Sequence, residues 1–267
     1  MTQNTEEYID LLIELEPVFK KAGELALELR QTAKSSYKSE TGLHGVDLVT
    51  EADLAVQEMV LSEMVKTKLA ECKIVAEENT PSVAKFKGIN GLTITIDPID
   101  GTFIYASNGR FFSTIICLND GESLLYTFTH YPAVNWTRRI ANNEIQDFGD
   151  LPRVKTKEGL DLFKTISASF RDPAKTVPDI YAKLVAEGYT FRKLSDITDE
   201  SGSYTLFTLG QVVGYYTDNP GAYDGMCGLH YAQVKGFRIE STVDFSKPMS
   251  GPHGQYYPGW YYVLAPN

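Results

Sequence analysis

From Thr5 to about Lys34, the apolar residues Leu11, Leu15, Val18, Ala22, Leu25 and Leu29 recur at alternating steps of four and three, the mark of one face of a long amphipathic helix. Pro17 lies inside that pattern and predicts a kink or interruption, because its ring removes a backbone donor and crowds the preceding turn. A second helix is predicted from Thr50 to Leu69, with Val56, Met59, Val60 and Met64 on its buried stripe, Glu58, Lys66 and Lys68 outside, and Asp53 in its first turn. Beyond it the period changes to two. In Leu92-Thr-Ile-Thr-Ile96, β-branched residues alternate faces and run directly into Asp97-Pro98, which predicts a strand ending in carboxylates. Ser113 to Leu118 and Leu124 to Thr129 read as two further strands joined by a hairpin turn at Asn119-Asp120-Gly121-Glu122. The first half therefore reads as two helices followed by a largely antiparallel sheet.

Past Gly149 the texture alters. Phe163 to Phe170 reads as a strand, Pro178 to Glu187 as a helix, Ser203 to Leu209 as a short helix entering a strand from Gln211 to Thr217, and the aromatic run Tyr256-Tyr257 with Trp260 to Tyr262 as a terminal strand. Alternation of this kind predicts an α/β half spanning 150–267, after an α+β half spanning 1–149. No repeat, low-complexity segment or linker rich in Pro, Gly and Ser divides the chain.

With 43% hydrophobic and 22% charged residues over 267 positions, the composition is that of a globular protein with a sizeable core. The net charge of −10 repels polyanions, which argues against nucleic acid and anionic membrane as partners. An anionic substrate would need a local reversal of that field, and a bound cation is the simplest one. Cys72, Cys117 and Cys227 are widely spaced with no CxxC pair and read as reduced thiols. The polar, acidic start MTQNTEEYID does not resemble a signal peptide, and no apolar run approaches the length of a membrane span, so a cytoplasmic location is expected.

The segment Asp97-Pro98-Ile99-Asp100-Gly101-Thr102 is the richest in chemistry. Pro98 fixes its own φ, Gly101 permits close backbone approach, and Thr102 is a good helix N-cap, so two carboxylates are expected beside a helix N-terminus suited to a phosphate oxygen. Asp-Gly before a helix is also ordinary turn chemistry, and what distinguishes this one is its acidic company. Glu77 and Glu78 stand in Ile74-Val-Ala-Glu-Glu-Asn79, Asp47 and Asp53 in Asp47-Leu-Val-Thr-Glu-Ala-Asp53, and Asp224 in Ala222-Tyr-Asp-Gly225. Like charges about 4 Å apart repel by roughly 4 kcal/mol at an effective dielectric near 20, so four gathered acids would stay ionised only around cations. His44, His130, His230 and His253 share no spacing with a nucleophile and read as structural or surface residues.

DLVTEAD, AEEN, IDPIDGT and AYDGMCG, in that order over nearly the whole chain, resemble the signatures of the inositol monophosphatase family, DPIDGT being the most specific. The resemblance implies the layered α/β/α/β/α sandwich of the inositol monophosphatase and fructose-1,6-bisphosphatase type, one family domain overall. It also implies a phosphoric monoester hydrolase acting by in-line attack of a metal-activated water, with two or three Mg²⁺ per site and sensitivity to Li⁺. Glu77, Asp97 and the carbonyl of Ile99 would hold one ion, and Asp97, Asp100 and Asp224 a second; Asp53 and Thr102, with Glu77, would act on the water, and the amides of Gly101 and Thr102 would hold the phosphate. A homodimer is the partnership that the resemblance favours.

Departures concentrate where such enzymes grip the leaving group. Thr217 stands where inositol phosphatases usually present a Glu, with Asp218 adjacent; Asp199-Glu200-Ser201 precede Gly202-Ser203 where an Arg is usual; and Phe103-Ile104-Tyr105 follow Thr102 in place of a short Asn-Phe element. Tyr223 replaces the usual Trp before Asp224. Thr217, Asp218, Gly202 and Ser203 are the expected substrate contacts. The substrate is expected to be a small phosphorylated metabolite: an inositol phosphate, a sugar phosphate, or a 3'-phosphonucleotide such as adenosine 3',5'-bisphosphate. From a different class, a regulatory protein that uses the phosphatase fold to bind a partner is weighed down by the retention of every metal-ligand position.

Overall fold

The amino-terminal helical pattern breaks where Pro17 predicts. A computed structural model, which describes residues 3–30, 35–37, 48–168, 171–244 and 256–266, gives two helices, α1 (Gln3–Glu14) and α2 (Glu16–Leu29). Pro17 sits in the first turn of α2, where an absent N–H leaves no intrahelical bond unmade. Asp47, His44 and His253 lie outside the described residues.

The chain forms two compact units, 1–150 and 151–267. In the first, β1 (Ser35–Tyr37) and β2 (Leu48–Thr50) pair antiparallel, and α3 (Glu51–Met64) follows directly. The second helix is shorter than the pattern to Leu69 predicts: after Met64 the chain turns through a 3₁₀ segment, Lys68–Glu71, whose amide at Leu69 is capped by the Thr67 hydroxyl. A sheet in the order β3-β4-β5-β6-β7-β8 completes the unit, with β3 (Lys73–Ala76), β4 (Thr93–Asp100), β5 (Ser113–Asn119), β6 (Leu124–Tyr131), β7 (Trp136–Ala141) and β8 (Glu144–Phe148). A short helix, α4 (Thr102–Ala106), leads from β4 toward β5. Only the β3–β4 pair is parallel, as the expected largely antiparallel sheet requires. The β5–β6 turn is where the sequence puts it: the Asp120 carboxylate accepts the amides of Glu122 and Ser123 at 3.0 and 2.7 Å. Phe19, Ala22 and Ala26 of α2 and Val56, Val60 and Leu61 of α3 are buried with Ile94, Ile96, Ile116 and Phe128 of the sheet. Helix α2 comes so close to β6 that a Cβ on Gly23 would lie 2.7 Å from the His130 ring.

The second unit contains β9 (Thr165–Ala168), α5 (Pro173–Thr176), α6 (Pro178–Ala186), β10 (Thr190–Lys193), α7 (Leu194–Ile197) and α8 (Ser203–Thr208). It continues with β11 (Gly214–Asp218), α9 (Met226–Lys235), β12 (Arg238–Ser241) and β13 (Trp260–Leu264). The strands order as β10-β9-β11-β13-β12, parallel across the first three and antiparallel at β13 and β12. Of the predicted terminal strand, Trp260 to Tyr262 lie in β13, while Tyr256 makes only an isolated bridge to Gly221. The predicted strand from Gln211 begins at Gly214: the Gln211 amide is still bonded back to the Leu206 carbonyl of α8 at 2.8 Å, and its side chain meets the Val154 amide and carbonyl, each at 2.8 Å.

Candidate active site

Asp97 and Asp100 are three residues apart, and in a regular strand that separation would put them on opposite faces. The strand ends in carboxylates as the sequence predicts, and it runs past Asp97-Pro98 to Asp100 through a bulge. Asp97 pairs with Ile115 and Asp100 with Ser113, so three steps on β4 are matched by two on β5, and both carboxylates emerge on one face. Pro98, which has no N–H to give a ladder, occupies the bulge, and its carbonyl accepts the Thr114 hydroxyl at 2.9 Å. Asp97 is 4% exposed, and carboxylate oxygens of Asp97 and Asp100 lie within 4.8 Å of each other. The Ser113 hydroxyl donates to Asp100 at 3.1 Å.

Glu77 follows β3. The parallel register sets Ala76 beside Ile96, and the Glu77 amide donates to the Ile96 carbonyl at 3.2 Å, so Glu77 stands level with Asp97. The loop after it is tied to α3. Gln57 accepts the Glu78 amide at 2.9 Å and donates to the Glu78 carbonyl at 2.7 Å and the Thr80 hydroxyl at 3.0 Å, while the Glu58 carboxylate takes the Ser82 amide and hydroxyl at 3.0 and 2.7 Å. Burial alone would raise the Glu58 carboxyl, but the two Ser82 bonds, with Thr80 and the Lys85 charge, together hold it below the usual range. Asp53, 1% exposed, lies one turn before Gln57 on the same helix. Gln57 is a positioning residue that sequence reading missed; its only signal is that four-residue spacing from Asp53.

Thr102 is not the N-cap that the sequence predicts. Gly101 takes the cap position at φ 79°, in the left-handed region that favours glycine, and Thr102 is the first helical residue. The Thr102 hydroxyl donates instead to the Ile99 carbonyl at 3.1 Å. Helix α4 has only five residues, so the helical dipole expected beside the carboxylates is that of little more than one turn. The helix is anchored by Tyr105, whose hydroxyl donates to the Ala26 carbonyl at 2.8 Å and is pushed up to about 12 by burial, with Arg30 opposing and Asp53 adding to the rise. Arg30 lies 4.4 Å over the Phe112 ring and 5.2 Å over the Tyr105 ring.

In the second unit, Asp224 stands just before α9, in a segment held from several sides. The Gly225 carbonyl accepts the Tyr261 hydroxyl, which is 2.7 Å from that of Tyr215, and the Asp224 carbonyl accepts the Cys227 thiol at 3.2 Å. A Cβ on Gly221 would fall 1.9 Å from an Asp224 carboxylate oxygen, so the carboxylate occupies the space that a side chain at 221 would fill. Thr217 and Asp218 end β11, and Asp218 is paired with Arg171 at 3.3 Å. Gly202 caps α8, and the Ser203 hydroxyl is buried 2.7 Å from that of Ser167. His130 and His230 are both buried.

As a donor set, Glu77, Asp97, Asp100 and the Ile99 carbonyl offer oxygen alone. Two carboxylates whose oxygens lie within 4.8 Å repel by at least roughly 3 kcal/mol at an effective dielectric near 20, and a hard divalent cation suits them better than a soft one. No helix among the described residues is long and apolar enough to cross a membrane.

Helices on two mixed sheets, with acidic segments at a bulge and at loops, make this an α/β protein, and sequence comparison narrows the class. The profile of the inositol monophosphatase family matches residues 9–221, and the chain belongs to that family. It is similar to rat inositol monophosphatase 2, 36% identical over 109 residues, a stretch covering 38% of this chain and 37% of the rat protein. Among solved structures it is similar to the extragenic suppressor protein suhB of Bartonella henselae, with a TM-score of 0.65 at 15% identity over 96% of this chain and 94% of that one. An IMPase/NADP phosphatase solved with Mg²⁺ and phosphate gives a TM-score of 0.62 at 18% identity over 97% and 91% of the two chains. At such identities the structures speak to fold, and the expected α/β sandwich of this family is the fold found.

Proposed function

We propose that the protein is a Mg²⁺-dependent phosphatase that hydrolyses a phosphate monoester on a small molecule by in-line attack of water. The observation that carries this reading is the bulge in β4, which sets the carboxylates of Asp97 and Asp100 on one face within 4.8 Å, in a chain of the inositol monophosphatase family. Glu77, Asp97, Asp100, the Ile99 carbonyl and Asp224 would hold the ions, two or three in number. Bound Mg²⁺ supplies Lewis acidity, offsetting phosphate charge and making water a better acid. Asp53, shielded from solvent, accepts the proton, and the Thr102 hydroxyl, already oriented by the Ile99 carbonyl, aligns the water with Glu77. The amides of Gly101 and Thr102 take up charge on the phosphate oxygens. Thr217, Asp218, Gly202 and Ser203 are assigned to the leaving group. The similar IMPase/NADP phosphatase, solved with Mg²⁺ and phosphate, supports the choice of ion.

A panel of phosphorylated metabolites, assayed for phosphate release with Mg²⁺ and with excess EDTA, tests this reading. Release with Mg²⁺ alone is expected, declining at excess Mg²⁺ and inhibited by Li⁺. Turnover that persists in EDTA would overturn it. A homodimer and a cytoplasmic location accompany the reading; light scattering and cell fractionation check them.

A further inference from the structure

Two of the large apolar side chains that stand exposed directly follow residues assigned to the chemistry: Leu54, 40% exposed, follows Asp53, and Phe103, 55% exposed, follows Thr102. Scattered apolar residues on a surface are ordinary and need no explanation. Place sets this pair apart. Neither side chain is out of the core for want of an anchored helix. Helix α4 is fixed by Tyr105, 1% exposed and bonded to the Ala26 carbonyl, and Ile104 lies beneath the Gly101 turn, where a Cβ on Gly101 would sit 3.4 Å from its Cδ1. Helix α3 is fixed by Ala52, Val56 and Val60 in the core and by the Gln57 and Glu58 clamps. The phenyl ring of Phe103 is thus carried on a rigid turn beside the amides proposed to hold phosphate, and Leu54 on the first turn of the helix that buries Asp53. Leaving alcohols rich in hydroxyls would call for hydrogen-bonding groups there, and neither side chain has one.

We propose that Leu54 and Phe103 form an apolar rim on the candidate active site, and that this rim selects phosphate monoesters whose leaving alcohol carries an aromatic or other flat apolar group. The inference rests on the phosphatase reading and names its substrate class. An aromatic face against Phe103 gains by stacking and by area removed from water, and apolar contacts of this size discriminate between substrates by roughly 10- to 200-fold.

The test compares 2-phenylethyl phosphate with glycerol 1-phosphate. Both leave as primary alcohols, so a difference in rate reports recognition rather than leaving-group chemistry. With Mg²⁺, kcat/KM for the phenylethyl ester is expected to exceed that for the glycerol ester by about tenfold or more. Phe103→Thr and Leu54→Gln should each bring the ratio toward one, mainly through KM, and Ile89→Ala, a change at an exposed apolar residue elsewhere, should leave the ratio alone. Calorimetric binding of the two matching phosphonates should follow the same order without turnover. If wild type favours glycerol phosphate, if the ratio survives Phe103→Thr, or if the metabolite panel yields a substrate while the phenylethyl ester is refused, the rim proposal is overturned and the phosphatase reading stands. If no ester of any kind is hydrolysed at any Mg²⁺ concentration, the phosphatase reading falls and takes the rim proposal with it.

Discussion

Asp97 and Thr102 sit five residues apart and separate binding from chemistry. Asp97→Asn removes a charge from the pair held within 4.8 Å, so Mg²⁺ affinity and activity should be lost together. Thr102→Val removes only a hydroxyl that bonds the Ile99 carbonyl; Mg²⁺ affinity should stay near wild type while kcat falls by roughly 10²- to 10⁴-fold, the usual range for a positioned proton-transfer group. Calorimetric titration with Mg²⁺ and steady-state kinetics distinguish the two, and a Thr102→Val enzyme with near wild-type kcat would remove Thr102 from the mechanism. A third residue tests Asp224 without touching it. Gly221 does not have a left-handed φ, so the backbone tolerates Gly221→Ala, but the new methyl would meet the Asp224 carboxylate at 1.9 Å and must displace it. Activity should drop at least tenfold with little change in melting temperature. The acids themselves were legible from residue type and order. That Thr102 is not a cap was not, because Gly101 takes the cap through a backbone angle rather than a side chain.

Among the elements, β4 and α3 do most to shape the candidate site. Alternation stops at Ile96 and predicts a strand ending in the carboxylates of Asp97-Pro98, but it does not show how a strand passes a proline that cannot donate to a ladder. Pairing with β5 carries the strand four residues further by placing an extra residue at the proline, and it is this pairing that aligns the carboxylates. The clamp from α3 makes a sharper test. Gln57→Leu leaves the Glu78 amide and carbonyl without their side-chain partners in a partly buried loop, which should lower stability by about 1–3 kcal/mol in chemical denaturation. Because Glu77 is the neighbouring residue, Mg²⁺ affinity should fall as well, whereas Ser62→Ala, which removes a local helix-surface bond on the same α3, should leave affinity unaltered. Equal Mg²⁺ affinity in Gln57→Leu and wild type would remove Gln57 from the positioning of Glu77.

At the scale of the molecule, two buried histidines link stability to pH. Burial, with Lys20 adding and a backbone bond to Trp136 opposing, brings His130 down to about 4, and burial brings His230 to about 4 as well. Both are lowered from an ordinary value near 6.5, so between those limits the unfolded chain binds more protons than the folded one. Their contribution is fully present above about pH 6.5 and is lost as pH falls toward 4, on the order of 3 kcal/mol for each. Urea unfolding at pH 7, 5.5 and 4.5 should show the decline, and His130→Gln should flatten it; an unchanged slope in that variant would mean that His130 titrates normally. The sequence by itself determined what depends on neighbours along the chain: the helix period and its interruption at Pro17, the β5–β6 hairpin, and the order of acidic motifs that resembles the family. Tertiary structure decided what depends on residues distant in sequence: the shared face of Asp97 and Asp100 through pairing with β5, the level of Glu77 through its parallel partner β4, and the grip of Gln57 on the loop at Glu78. The edge pair β7 and β8 also went unread, since β8 is mostly exposed and shows no buried alternation. Periodicity reports which side of an element is apolar; it carries no register, and register is what places one strand's carboxylate beside another's.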